Sequence, residues 1–181
     1  MEARHSGVAH PVVLACDTSS GCAALAILEG GVVTAEWNLL VGVGHSRDLL
    51  QDLEALMTRR ALVWSDVDLL VTSLGPGSFT GVRIAMASMK GLAMSLGREL
   101  RGVGLLDALA APLQSRGCAV LAAMDARKGQ LYAALYGPAG DVIVPACAAG
   151  PQELAAAVVA AWPEGPILGV GEGVLAYASE L

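Results

Sequence analysis

The stretch VVLACDTSSGCAALAIL (12–28) indicates a duplicated fold, because VLAAMDARKGQLYAALY (120–136) repeats its pattern. In each stretch an apolar run ends in aspartate, a glycine follows four residues later, and a second apolar run begins. The repeat therefore predicts two β-hairpins that begin two similar halves of the chain. The matching residues, 108 positions apart, are Asp17 with Asp125 and Gly21 with Gly129.

Three further elements follow the first hairpin and its third strand, which starts after the glycine pair 30–31. Leucines at helical spacing predict an amphipathic helix over 45–60. The apolar run 67–74 predicts a strand, and 82–96 predicts a second helix with Gly97 as its C-cap. The order of the first half is therefore βββαβα.

The second copy continues in the same way. After its hairpin come a strand at VIV, a helix at PQELAAAVVAAW and a strand at PILGV. The segment GVGEG (169–173) then resembles LGPG (74–77). The sequence stops at Leu181, where the last helix of the repeat is expected, so we predict an incomplete second lobe.

A duplicated βββαβα unit is the plan of the actin-like, Hsp70 and sugar-kinase superfold. We therefore predict an α/β protein of two lobes, with an N-terminal extension at 1–11, a first lobe at 12–113 and a second lobe at 118–181. Proteins with this plan bind nucleotides between the lobes, but a fold does not establish a function.

The loop SLGPGSFTGVR (73–83) joins the predicted strand 67–74 to the predicted helix 82–96. It matches neither the Walker A pattern, nor GxGxxG, nor the GxSxG nucleophile elbow. A structural corner and an anion site both remain open. Ser78 or Thr80 can cap the helix, and Arg83 in its first turn opposes the helix dipole, which suggests an acidic or partner contact. The loop residues are Gly75, Pro76, Gly77, Ser78, Phe79, Thr80, Gly81 and Arg83.

The turn DTSSG (17–21) is the second candidate for a phosphate site. Its hydroxyls could bind phosphate and Asp17 could hold a metal-bound water, but an Asx turn explains the same residues and no lysine follows. We predict no cofactor, with ATP or ADP as the weaker alternative. The candidate residues are Asp17, Thr18, Ser19 and Gly21.

The two helices 45–60 and 82–96 suggest either core packing or a surface that docks another protein. The second is apolar nearly all round, with Met86, Met89 and Met94 as adaptable apolar surface. Its residues Ala87, Gly91 and Ser95 recur every four positions and would let another backbone come close. The predicted partner interface comprises His45, Leu49, Leu53, Met57, Met86, Met89 and Lys90.

Composition excludes several classes of protein. The formal charge of −6 argues against a chain that binds nucleic acid alone, and 55% hydrophobic against 15% charged residues argues against disorder. Three histidines without HxxxH or HExxH spacing predict no metal site. Four cysteines without CxxC spacing predict buried free thiols, and the lack of a signal peptide or membrane span predicts a cytoplasmic protein.

Four segments resemble the bacterial TsaB family, also called YeaZ, and they occur in the family's order. They are VLACDTSSGCAALAI (13–27), GHSRDLL (44–50), GPGSFTGVR (75–83) and MDARKGQLYAALY (124–136). The family takes part in making threonylcarbamoyladenosine in tRNA. One departure is Gln130, where the family usually has glutamate.

The resemblance implies an actin-like fold and a scaffold subunit without catalysis of its own. It implies pairing with TsaD, which transfers the threonylcarbamoyl group, recruitment of the ATPase TsaE, a homodimer when alone, and tRNA contact only through the complex. TsaD-like chains carry a metal-binding histidine pair, of which only His45 has a counterpart here, and peptidase or ATPase activity is not expected. The alternative is an actin-like nucleotide-binding ATPase or kinase that uses DTSSG.

Overall fold

The computed structural model describes residues 10–40 and 49–180. Within them the strands are β1 Val12–Asp17, β2 Cys22–Glu29, β3 Val32–Leu40, β4 Leu69–Ser73, β5 Glu99–Val103, β6 Ala119–Arg127, β7 Gln130–Tyr136, β8 Val142–Ala149 and β9 Ile167–Val170. The α-helices are α1 Leu49–Arg59, α2 Phe79–Leu96, α3 Leu105–Ala110, α4 Pro151–Ala161 and α5 Glu172–Ala176. Short 3-10 helices cover Trp64–Asp66 and Ala111–Arg116.

The strands form two sheets with the same plan. Their orders are β3-β2-β1-β4-β5 and β8-β7-β6-β9. In each sheet the first strand of the hairpin is antiparallel to the second and parallel to the strand that follows the crossover helix. The predicted α/β class and its duplicated arrangement of strands are confirmed.

The chain divides into two compact units. The first contains Met1–Ser73 and Ser78–Gly102, and the second contains Leu74–Gly77 and Val103–Leu181. The sequence analysis placed 103–113 in the first lobe and missed both β5 and α3. Helix α3 belongs to the second unit because its apolar side chains are buried against β6 and β7.

The first unit has one hydrophobic core, on the face of its sheet that carries α1 and α2. Alternate residues of the strands point to this near face, where they meet the apolar stripes of both helices. Leu14 pairs with Ile27 and Leu70, and all three are fully buried. The helices contribute Leu49, Leu53, Leu56, Met57, Ala85, Met89 and Ala93.

The far face of this first sheet is apolar but only half-buried. Ala15 pairs with Ala26 on β2 and with Val71 on β4, so these side chains form one row across the sheet. The apolar members of this face, each of intermediate exposure, are Val13, Ala15, Ala24, Ala26, Leu28, Leu69 and Val71.

The second unit buries both faces of its sheet. The near face packs against α4 and α5 through Ala119, Leu121 and Ala123 of β6. The far face packs against α3, where Leu106 and Ala110 cover Ala122. Side chains on both faces of β6 are at most 6% exposed from Ala119 to Met124.

Two details differ from the sequence analysis. A short helix, α5, follows β9, where we expected the chain to stop before the final helix. Asp125 alternates with Leu121 and Ala123 and so belongs to the near face, whereas Asp17 alternates with Val13 and Ala15 on the far face. The matched aspartates therefore lie on opposite faces relative to the crossover helices.

The cysteines are free, as predicted, but they are not all buried. Cys16 and Cys118 are buried, Cys22 is partly buried and Cys147 is exposed. The expectation of a buried thiol is wrong for Cys147 because its stretch of β8 lies at the surface.

Candidate functional site

The loop after β4 ends in a well-formed helix cap. The Ser78 hydroxyl accepts a hydrogen bond from the Gly81 N–H at 3.2 Å, and the Ser78 carbonyl accepts one from the Val82 N–H at 2.9 Å. Helix α2 therefore begins at Phe79, three residues before the predicted start. Of the two predicted candidates for the N-cap, Ser78 and Thr80, the structure has Ser78, and the predicted C-cap Gly97 is confirmed, with a left-handed backbone.

The first turn of α2 packs directly on the hairpin that joins β1 and β2. The Ser78 N–H donates to the Ser19 carbonyl at 2.6 Å, and the Thr18 hydroxyl donates to the Gly81 carbonyl at 2.7 Å. A Cβ atom on Gly81 would lie 1.8 Å from the Thr18 carbonyl oxygen. Only glycine fits at this contact, which explains why position 81 is a glycine.

Asp17 holds the hairpin in an Asx turn. Its Oδ1 atom accepts a hydrogen bond from the Ser19 N–H at 3.0 Å and a very short one from the Ser73 hydroxyl. The carboxylate thus joins the ends of β1 and β4 within the first unit. Cys16 precedes Asp17 in the chain. The pKa of its thiol is raised to about 12, mainly by burial and to a smaller extent by the negative charge of Asp17.

This geometry favours a structural corner over a phosphate site. A phosphate needs N–H donors, but the N–H groups of Ser78 and Gly81 are already bonded within the corner. The hairpin presents the carbonyl oxygen of Ser19 to the start of α2, and a carbonyl oxygen repels an anion. The Ser19 hydroxyl is buried and has no hydrogen-bond partner among the described residues.

The first part of the loop belongs to the second unit. There the Gly75 carbonyl accepts a hydrogen bond from the Leu105 N–H at 2.7 Å, and the Leu74 N–H donates to the Val103 carbonyl at 2.8 Å. The Gly75–Pro76 peptide bond is cis. The eleven-residue loop therefore contributes residues to both compact units.

Helix α2 has two different faces. Its buried face consists of Gly81, Ala85, Met89 and Ala93. Its exposed face carries Phe79, Arg83, Ala87, Lys90 and Met94, with Phe79 71% and Met94 76% exposed. The Arg83 guanidinium lies 4.2 Å from the centre of the Phe79 ring. Within the chain Arg83 therefore contacts an aromatic ring and not the acidic side chain that its position suggested.

The burial of the helices corrects the predicted interface. Met89, Leu53, Met57 and Leu49 are at most 4% exposed and form part of the core of the first unit. They have no surface to offer a partner, because the stripe that we assigned to docking is the one that faces the sheet. Met86 is half-buried and Lys90 is exposed. His45 lies outside the described residues.

Phe79 was predicted as a residue of the loop and not of the helix, and Met94 was used only as general apolar surface. Helical spacing contains the signal that would have found both, since positions 79, 83, 90 and 94 fall on one side of a helix that starts at 79. The prediction started this helix at 82 and therefore left Phe79 in the loop.

The family model described as "TsaD: tRNA N6-adenosine threonylcarbamoyltransferase" matches residues 30–173. The Bacillus subtilis and Escherichia coli proteins named "tRNA threonylcarbamoyladenosine biosynthesis protein TsaB" are each 34% identical to the chain over 124 and 126 residues. Both alignments cover 68% of this chain and 54% of the relative. The solved structure "YeaZ from Pseudomonas aeruginosa" superposes with a TM-score of 0.78 at 30% identity, over 94% of this chain and 80% of that one.

The chain belongs to the TsaB/YeaZ family. The resemblance found in the sequence is thereby confirmed, and the α/β fold is that of the YeaZ structure. The chain spans about half the length of the curated relatives that it matches.

The described residues contain neither a metal-binding cluster nor a membrane-spanning helix. No group of three or more His, Cys, Asp or Glu side chains in 10–40 and 49–180 could hold a metal ion. Within the same ranges no helix is both long enough and apolar enough to cross a membrane.

Proposed function

We propose that this chain is a non-catalytic subunit that activates a TsaD-type threonylcarbamoyltransferase in the synthesis of threonylcarbamoyladenosine in tRNA. Membership of the TsaB/YeaZ family supports the pathway. The observation that carries the pairing is the exposed face of α2, where two large apolar side chains stand in solvent on a regular helix.

The chemistry of this face suits a protein partner. Phe79 and Met94 supply apolar anchors, and the small residues Ala87 and Gly91 would let a second helix approach closely. Arg83 and Lys90 are the charged residues of α2, which contains no Asp or Glu although the whole chain has a net charge of −6. We expect the partner surface to be apolar with acidic residues around it.

The remaining expectations follow from the family resemblance. The chain forms a homodimer through the same face when alone and exchanges it for the TsaD-type subunit. The pair recruits a TsaE-type ATPase, contacts tRNA only as a complex and works in the cytoplasm.

The test is reconstitution of tRNA threonylcarbamoylation with the TsaD-type and TsaE-type proteins from the same source. We expect modification to require this chain and to be lost with Met94→Glu, which puts a buried charge into the interface. The matched control is Val159→Glu on α4, an equally drastic change at a residue 64% exposed in the other unit. This control should modify tRNA as the wild type does.

Two results would contradict the proposal. One is full modification by the other proteins without this chain. The other is full activity of Met94→Glu, which would separate the exposed face of α2 from the function.

A further inference from the structure

The hairpin between β6 and β7 has an unusual tip. Arg127 pairs with Gln130, so Lys128 and Gly129 form a two-residue turn. The φ angles are +68° at Arg127, +54° at Lys128 and +74° at Gly129. Two-residue turns of this kind favour Asn-Gly, because both central residues need a left-handed backbone.

Side chains with a Cβ atom disfavour this conformation, and asparagine tolerates it best. Arg127 and Lys128 are two of only three non-glycine residues with positive φ among the described residues. Both are exposed and add nothing to the core. Strained residues that do not serve packing point to a role in binding.

The tip carries two positively charged side chains at the surface, and of the two only Arg127 has an acidic neighbour among the described residues. The Asp125 carboxylate accepts a hydrogen bond from the Arg127 N–H at 2.8 Å, which holds the backbone in place. The Arg127 guanidinium is 85% exposed and lies 3.8 Å from the other oxygen of Asp125. Within 10–40 and 49–180 no ion pair or hydrogen bond involves the Lys128 ammonium.

Most other described arginines have partners within the fold, as Arg127 has in Asp125, so the unpaired charge of the tip is that of Lys128. The partners of those other arginines are Trp37 for Arg59, Glu29 for Arg60, Phe79 for Arg83, the Ser65 carbonyl for Arg98 and Glu99 for Arg101.

We propose that Arg127 and Lys128 contact backbone phosphates of tRNA bound to the complex; this rests on the proposed function. Phosphate is the anion that both a guanidinium and an ammonium bind well. None of the exposed large apolar residues lies between Asp125 and Leu131. A protein partner would need an apolar centre at the contact, whereas a phosphate contact needs none.

The net charge of −6 explains why the tip would act only within a complex. Two adjacent cations cannot attract a polyanion to an acidic chain by themselves. They can, however, fix the position of an RNA that another subunit binds.

The experiment measures tRNA binding by fluorescence polarisation, as a function of salt, to the complex of this chain with its TsaD-type subunit. Lys128→Asn removes a charge and relaxes the turn. We expect it to raise the melting temperature of the chain by about 2 °C. We expect tRNA affinity to fall about five-fold and the salt slope to fall by about one, as for one lost phosphate contact. The double variant Arg127→Asn/Lys128→Asn should lose about twice that slope.

Two controls separate local contact from net charge. Lys128→Arg keeps the cation and should keep both affinity and slope. Arg116→Gln removes a different exposed cation from the same unit and should leave tRNA binding unchanged.

Several results would overturn the proposal. Wild-type affinity and slope for the double variant, in a complex that forms and binds tRNA normally, would reject the tip alone and leave the proposed function intact. Weaker complex formation without weaker tRNA binding would make the tip a protein contact. If the double variant lost ATP binding but kept tRNA binding, the phosphate bound by the tip would belong to a nucleotide and not to tRNA. Failure of the wild-type chain to pair at all would reject the proposed function and this proposal with it.

Discussion

Four strands of each sheet follow the same order, but the two sheets differ in what covers them. On the far face of the second sheet, Ala122 is fully buried beneath α3. On the far face of the first sheet, Ala15 and Ala26 are half-exposed, and the hydrophobic core of that unit lies on the other side. The comparison shows that equal topology does not give equal burial, because a short helix from outside the repeat completes only one sheet.

The largest expected effect comes from placing a charge on the far face of each sheet and comparing the two losses of stability. Ala122→Lys puts an unpaired ammonium between β6 and α3, and we expect it to lower the free energy of unfolding by about 3–5 kcal/mol or to prevent folding. Ala26→Lys can extend its charge into water, so its effect should stay below about 1 kcal/mol. Urea denaturation followed by circular dichroism measures both. Equal losses would show that the first far face is as enclosed as the second.

The next effect concerns the glycine that fits α2 to the first hairpin. Gly81→Ala would force the Cβ atom into the Thr18 carbonyl, and we expect a loss of about 3 kcal/mol. Gly91→Ala on the same helix meets nothing within 4 Å and should stabilise by roughly 0.5–1 kcal/mol through helix propensity. Differential scanning calorimetry gives both values. A neutral Gly81→Ala variant would mean that the corner is loose.

A smaller effect distinguishes the two matched aspartates. Asp17→Ala leaves the buried Ser73 hydroxyl and the Ser19 N–H without their acceptor, which should lower the free energy of unfolding by about 2 kcal/mol. Asp125→Ala removes one exposed backbone bond and a long ion pair, worth about 0.5–1 kcal/mol. Urea denaturation of both variants beside the wild type provides the comparison. Equal losses in the two variants would restore the equivalence that the sequence repeat suggested.

A further effect is a loss of stability at alkaline pH, with one group in each unit. Burial raises the pKa of Cys16 to about 12, and burial together with the hydrogen bond to Asp107 raises the pKa of Tyr136. The folded state therefore holds these protons more tightly than the unfolded state. The contribution of these two groups to stability is present in full below their pKa values in the unfolded chain, which are near 9 for the thiol and 10 for the phenol. It is lost as the pH rises above those values.

Cys16→Ala and Tyr136→Phe should each flatten the pH dependence in that range, by at most about 1.4 kcal/mol per pH unit. Urea midpoints measured between pH 8 and 11 would show this. An unchanged slope in the double variant would mean that other groups cause the alkaline loss.

Much of the fold could be predicted from the sequence, because apolar periodicity and the repeat depend on local pattern. The crossover helices and the Gly97 cap follow from spacing alone, whereas spacing left Ser78 and Thr80 both open as the N-cap. Strand β5 was missed because ELRGV contains few apolar residues, and its partly buried Leu100 packs on the core. The repeat also made Asp17 and Asp125 look equivalent. They lie on opposite faces, which could not be predicted because a sequence match does not reveal on which face a strand residue lies.

The candidate site was harder to predict. A helix that is apolar nearly all round does not reveal which apolar residues face the sheet, so Met89 was assigned to the surface and Phe79 was left in a loop. The exposed face became recognisable only when the start of α2 and the burial of Ala85 and Ala93 were known.

Our central claim is that the exposed face of α2 is the pairing surface, and light scattering after size exclusion tests it most directly. We expect the 18.4 kDa chain to run as a homodimer and to form a one-to-one complex with the TsaD-type subunit of the same source. Met94→Glu should be monomeric and should not pair, whereas Val159→Glu should behave as the wild type does. A folded Met94→Glu variant that still forms the complex would contradict the claim.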